Sequence, residues 1–279
     1  MKNAVKVFTF LVILFLLLNS VAAMIGGVGA LILKVLAALV PVCLGYAVSR
    51  RLKTEREEAA GLAEREDTLL IPSVRAVISP LPLLAPIIAI IFLISYLTSL
   101  LFGLFGIESV GVADAPLYEM LILHALLPAI LEESVFRYLP MKLIAPYSKR
   151  WCAVLSAVYF ALVHMSVIQL PYALCAGFIF VIVDLAYDSI WPSFILHLFN
   201  NAVSVLWIKY SPRGEFAKWF VIVMVSAALV SLVGAYFKRK EYTSGFKSAL
   251  DEGENLSEYY SPMLLICFCA VMIFLNTFS

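Results

Sequence analysis

The stretch LYEMLILHALLPAILEESVFRYL, residues 117–139, decides how the whole chain is read. It is long and apolar enough to cross a bilayer, which takes about 20 residues of helix. Yet Glu132, Glu133 and Arg137 lie inside it. An ionisable side chain at mid-membrane costs about 2.5–3.5 kcal/mol on insertion scales, so three unpaired ones would cost about 8–10 kcal/mol. Glu133 and Arg137 stand four residues apart, share a helix face and can pair. Glu132 is turned about 100° from Glu133 on a helix of 3.6 residues per turn. It has no dedicated cation on its own helix, and so is the carboxylate free to take a proton from water.

The rest of the 279-residue chain is built for the same solvent. Its apolar fraction is 63% and its charged fraction 14%, and its mean hydropathy is +0.99. Soluble domains run nearer half apolar and a quarter charged. Nine apolar segments stand out: 5–24, 28–48, 81–105, 117–139, 151–167, 170–186, 190–208, 219–237 and 263–278. The fifth and sixth are short, which suits tilted or partly re-entrant helices. These segments predict an all-α, polytopic membrane protein with eight or nine transmembrane helices, forming one integral membrane domain over residues 1–279. The first segment, with Lys2 and Lys6 before it and Ser20-Val21-Ala22-Ala23 near its end, also has the layout of a cleavable signal peptide. An uncleaved first span is the preferred reading.

Two polar segments, 50–79 and 238–260, are expected in the cytoplasm because Lys and Arg cluster beside the spans there. The same rule puts the N-terminus inside and makes this a multi-pass protein of the cell membrane. The loop carrying Lys209, Arg213 and Lys218 runs against that orientation. A net charge of +1 gives no footprint for nucleic acid. The five cysteines have neither disulfide-framework nor zinc-knuckle spacing and read as small core residues. There is no glycine-rich phosphate loop and no internal repeat.

Three histidines are present, all in apolar segments: His124, His164 and His197. His164 follows Phe160 by four residues, and His197 precedes Asn201 by four, so each pair shares a helix face. His124 is expected in the core. Asp184 and Asp188 are expected at the membrane interface with access to water, and Asn200 is expected to point away from the site. Helices bearing a carboxylate pair, a histidine, and a histidine with an amide are most economically explained by convergence on one polar pocket, the core of which falls in residues 117–207.

Glu132-Glu133-x-x-x-Arg137, Phe160-x-x-x-His164 and His197-x-x-x-Asn201, in that order on successive segments, resemble the three motifs of the CPBP family. These are the CAAX proteases and bacteriocin-processing (Abi) enzymes, intramembrane glutamic endopeptidases. The resemblance implies helices around a water-accessible catalytic cavity, and peptide hydrolysis by an activated water. The substrate would be a membrane-associated peptide or protein, met within the lipid bilayer, with no cofactor.

On that reading Glu132 is the general base, assisted by His164. His197 and Asn201 stabilise the oxyanion, and Glu133 and Arg137 hold Glu132 in place, with Phe160 in support. Two alternatives stay open. Glu132, His164 and His197 are a sufficient ligand set for a catalytic zinc. Polar groups at mid-membrane also build transporters, and the same motifs could serve as packing in a scaffold. One detail is awkward: His164 lies about 20 Å from Trp151 along a helix, whereas Glu132 lies about 10 Å from Leu139. A tilted or late-starting fifth helix is needed to bring them level.

Overall fold

A computed structural model describes residues 1–25, 27–60, 69–107, 115–211 and 214–249, with Ile266 and Ile273. Among the described residues every regular element is a helix, as the hydrocarbon environment requires: an isolated helix satisfies its own backbone hydrogen bonds. The order is α1 (Lys2–Ile25), α2 (Gly27–Ala60), α3 (Val74–Ile78), α4 (Leu81–Gly103), α5 (residues 117–143), α6 (Lys149–Leu162), α7 (Leu170–Tyr187), α8 (Trp191–Tyr210), α9 (Gly214–Phe237) and α10 (Arg239–Ala249).

Five stretches are long and apolar enough to cross a membrane: Lys2–Ile25, Gly27–Thr54, Val74–Gly103, Leu170–Tyr187 and Gly214–Phe237. The fourth, fifth and seventh apolar segments of the sequence are also helical, as α5, α6 and α8. They are the ones that carry the polar residues. The ninth, 263–278, lies outside the described residues apart from Ile266 and Ile273. So does 250–260 of the second polar segment; in the first, α2 continues through Thr54 to Ala60. On the periphery α9 buries none of its residues. Val230 is 74% exposed and Leu93 on α4 55%. Apolar faces of that extent are outward faces toward lipid.

The first helix is part of the core. Phe8 stacks on Tyr159 with ring centroids 5.4 Å apart, and the Thr9 and Tyr159 hydroxyls hydrogen-bond at 2.9 Å. Phe15 meets Phe136 edge-on at 5.4 Å. α1 thus packs on α5 and α6. On the far side α7 lies close against α6 at Gly177. A Cβ there would stand 2.9 Å from the Ala157 Cα and 3.1 Å from its carbonyl oxygen. Small residues are what let membrane helices approach to this distance.

The 117–143 helix is the irregular one. Two π-helical turns interrupt it, Ile122–Leu126 and Ser134–Tyr138. Each is followed by Leu-Pro: Leu127-Pro128 and Leu139-Pro140. Proline lacks an N–H and its ring crowds the carbonyl four residues back, so the helix widens by one residue in the turn before it. The Leu127 N–H accordingly bonds five residues back, to Ile122 O. Glu132 and Glu133 end the regular segment between the two widened turns.

Candidate active site

Pro140 leaves the Phe136 carbonyl without its helical donor. Two side chains take the vacancy: the Arg137 Nη1 donates to Phe136 O at 3.0 Å, and the Ser156 hydroxyl of α6 donates to the same oxygen. Arg137 Nη1 also reaches Ser156 Oγ at 3.2 Å. The widened turn thus becomes a socket for the guanidinium, which is fully buried. Its Cζ sits 4.6 Å over the Phe160 ring and 5.7 Å from that of Phe180. A desolvated cation on an aromatic face gains about 2 kcal/mol.

Glu133, 1% exposed, stands between two partners. Its Oε2 forms an ion pair with Arg137 Nε at 3.3 Å, the i,i+4 pair expected from the sequence. Its Oε1 lies 2.7 Å from His197 Nδ1. A carboxylate paired with a guanidinium accepts only, so His197 Nδ1 is the donor. That leaves His197 Nε2 pointing the other way, 3.8 Å from Glu132 Oε2. The imidazole is held between the two glutamates, and the 100° offset that separates them along the helix is what lets them address opposite ring nitrogens. The brace of Glu133 and Arg137 therefore bears directly on His197, and not on Glu132 as expected from the sequence.

Glu132 keeps 24% of its side chain exposed, against 1% for Glu133. His164 is also partly exposed. Its Nδ1 is 2.7 Å from Phe160 O. A carbonyl can only accept, so Nδ1 donates, and in the neutral ring Nε2 is the acceptor. The Phe160 ring meets both histidines edge-on, at 5.0 Å for His164 and 5.6 Å for His197. It is thus the spacer that ties the two imidazoles and Arg137 into one cluster. The late start expected for this helix is not observed, since α6 begins at Lys149. That helix has only 14 residues, and His164 lies past its end, in a turn closed by His164 N to Ala161 O at 3.3 Å and Met165 N to Leu162 O at 3.1 Å. Met165 takes a left-handed backbone, φ 49°. His164 is thus held at the end of α6, and its link to the rest of the cluster runs through Phe160.

Asn201, half-buried on α8, accepts from the Asn200 amide at 3.3 Å. Asn200 thus contacts the side chain of its chain neighbour Asn201. His124 is exposed on the first π-helical turn and is not a core residue; widening of the turn shifts the face on which it emerges. Asp184 is 0% exposed, which overturns the interfacial expectation. It accepts from the Ser193 N–H on α8 at 2.9 Å. Asp188 is exposed as expected, in a left-handed C-cap that ends α7. For zinc, no three His, Cys, Asp or Glu side chains among the described residues are grouped to hold a metal ion. Glu132, His164 and His197 are not gathered as a ligand set, and both nitrogens of His197 already face carboxylates.

Ser156, Ser193 and Phe180 complete the polar cluster and went unremarked in the sequence. Two of them had a signal. Ser156 precedes Phe160 by four residues and Ser193 precedes His197 by four, so each lies on the motif face of its helix. Phe180 had none, since nothing distinguishes it from other aromatic residues of α7.

Comparison with known proteins agrees with this geometry. Residues 114–203 match the family model described as type II CAAX prenyl endopeptidase Rce1-like. No curated protein and no solved structure matches the chain. The matched segment holds all three motifs and every side chain of the cluster that joins Glu132, Glu133, Arg137, Phe160, His164 and His197, with Asn201 one turn beyond His197 on α8. Over residues 114–203 the chain is therefore similar to the Rce1-like type II CAAX prenyl endopeptidases, within a multi-helix membrane protein.

Proposed function

We propose that the chain is an intramembrane endopeptidase that hydrolyses a peptide bond of a membrane-associated protein or peptide with a water activated by Glu132. The observation that carries this reading is the division of labour between the two glutamates. Glu133 is buried and occupied by Arg137 and His197. Glu132 is partly exposed and faces the far nitrogen of the same histidine, at 3.8 Å.

Amide hydrolysis needs a base for water, stabilisation of the oxyanion, and a proton for the leaving nitrogen. Glu132 takes a proton from water as the water oxygen bonds to the scissile carbonyl carbon. His164 Nε2, an acceptor in the neutral ring, orients that water. The carbonyl oxygen gains the negative charge and is stabilised by His197 Nε2–H and the Asn201 amide. Glu133 accepts from Nδ1 and so, with Arg137, holds the ring in place. When the C–N bond breaks, Glu132 returns its proton to the amine. Every proton is accounted for, and no covalent enzyme intermediate arises. The chain's short aqueous segments leave substrate selection to the membrane-embedded surface, and its flanking charges support an N-terminus on the cytoplasmic side.

The test is cleavage of a library of membrane peptides, prenylated and not, by purified wild type and Glu132→Gln, with and without a strong chelator. Gln keeps the shape and removes the base. Cleavage that is lost in Glu132→Gln and unaffected by chelator is the expected result. Equal cleavage by both proteins would sink the role of Glu132. Loss with chelator and recovery with zinc would replace the glutamic mechanism with a metal-dependent one.

A further inference from the structure

Asp184 is the buried ionisable group that the proposed mechanism leaves unused. It comes from α7, between the second and third motifs, and has no counterpart among the motif residues. Its Oδ1 accepts from the Ser193 N–H at 2.9 Å. Its Oδ2 is buried with no hydrogen-bond partner among the described residues. Ser193 is itself 0% exposed.

The first turn of α8 explains what this bond does. A helix starts with backbone N–H groups that no carbonyl of its own can satisfy. In α8, Trp191 N is served by Ser189 Oγ at 3.3 Å, and Pro192 has no N–H. Phe194 N bonds to Ile190 O at 3.1 Å. The remaining donor, Ser193 N, goes to Asp184, across the turn at 188–190. This cap comes from the neighbouring helix, so it joins α7 to α8 as well as closing the helix end. Ser193 and His197 are four residues apart on one face of α8. The Ser193 hydroxyl donates to Ile190 O at 3.0 Å within the same turn.

We propose that Asp184 is a positioning residue. By tying the first turn of α8 to α7 it fixes the rotation of α8 and holds the His197 imidazole against Glu133. Glu132 and Glu133 can flank one ring only if that ring stays where the 2.7 Å and 3.8 Å distances put it. The positional claim is independent of the reaction; its catalytic consequence rests on the proposed endopeptidase reading.

The test uses the full chain in detergent micelles, labelled with 15N-histidine. Only three imidazoles contribute signals, and His197→Gln identifies that of His197. In the wild type, His197 Nδ1–H is expected to be held in a strong hydrogen bond to Glu133. Asp184→Asn keeps the accepting oxygen and should leave that signal in place. Asp184→Ala should move it toward the averaged shift of a free imidazole, and Asp184→Leu, which fills the space, serves if the alanine variant does not fold. A folded Ala or Leu variant with the wild-type His197 signal overturns the proposal. On any peptide that the wild type cleaves, kcat should fall about 10- to 100-fold in Ala or Leu, as expected for misplacement by about 1 Å, with KM unchanged. Asn should stay within about twofold. If no peptide is cleaved, the endopeptidase reading fails, while the His197 signal still decides the role of Asp184.

Discussion

Replacing Arg137 with Met should be the most destabilising single change in the cluster. The guanidinium is wholly enclosed. It makes the 3.3 Å ion pair with Glu133, the 3.0 Å bond to Phe136 O, the 3.2 Å contact with Ser156 and the 4.6 Å contact with the Phe160 ring. Methionine fills much of the volume but leaves Glu133 buried with His197 as its remaining partner. Removing one member of a buried ion pair costs about 3–5 kcal/mol. At about 2–3 °C per kcal/mol for a chain of this size, the thermal midpoint in detergent should fall by about 6–15 °C. Arg137→Lys should recover only part of this, because an ammonium cannot serve Glu133 and Phe136 O with a planar fork. The double variant Arg137→Met, Glu133→Gln removes both charges and keeps an oxygen for His197 Nδ1. It should regain at least half of the lost stability. A single variant that melts within about 2 °C of wild type, or a double variant worse than the two singles combined, would refute the reasoning.

Glu133→Gln alone should lower kcat about 10- to 100-fold against any peptide the wild type cleaves, because His197 keeps a hydrogen-bond acceptor but loses the negative charge beside its ring that complements the developing oxyanion's donor. Glu132→Gln should abolish cleavage, by about 100- to 10,000-fold, and leave the thermal midpoint unchanged or raised, since its carboxylate is partly exposed and buries no partner. Ser156→Ala should cost about 1 kcal/mol, measured as a shift of the thermal midpoint, because Arg137 still serves the Phe136 carbonyl. Gly177→Val should separate α6 from α7, since the clash is with the Ala157 backbone and not with a flexible side chain. Its signature is loss of the folded peak in size exclusion, and Gly177→Ala should show a weaker form of the same defect.

Much of this molecule was legible as sequence because hydrocarbon is an unforgiving solvent. A bilayer admits only helices from a chain of this composition, so the all-helical class followed from apolar run lengths. Charges in such runs are too expensive to be incidental, so Glu132, Glu133 and Arg137 marked the site, and the i,i+4 spacing of Glu133 and Arg137 foretold their ion pair. Less legible were features that depend on how one helix meets another. Asp184 read as an interfacial group, yet it is buried because α8 begins where α7 ends and needs a donor satisfied. His124 read as core, yet the widened turn before Pro128 turns it outward. The Leu-Pro steps were visible, but the response of the helix to each depends on what stands ready to accept or donate nearby, here Ser156 and the Arg137 side chain.

The sequence by itself determined the solvent, the helical class, the three motifs and which of the two adjacent carboxylates has a cation on its own helix. It could do so because spacing along one helix fixes which side chains share a face. Only the tertiary structure decided that His197 sits between Glu132 and Glu133, that the arginine brace bears on this histidine, and that α6 stops short so that His164 stands at the end of a helix. Those facts depend on distances between helices and on where each one ends, and no periodicity within a single helix encodes them.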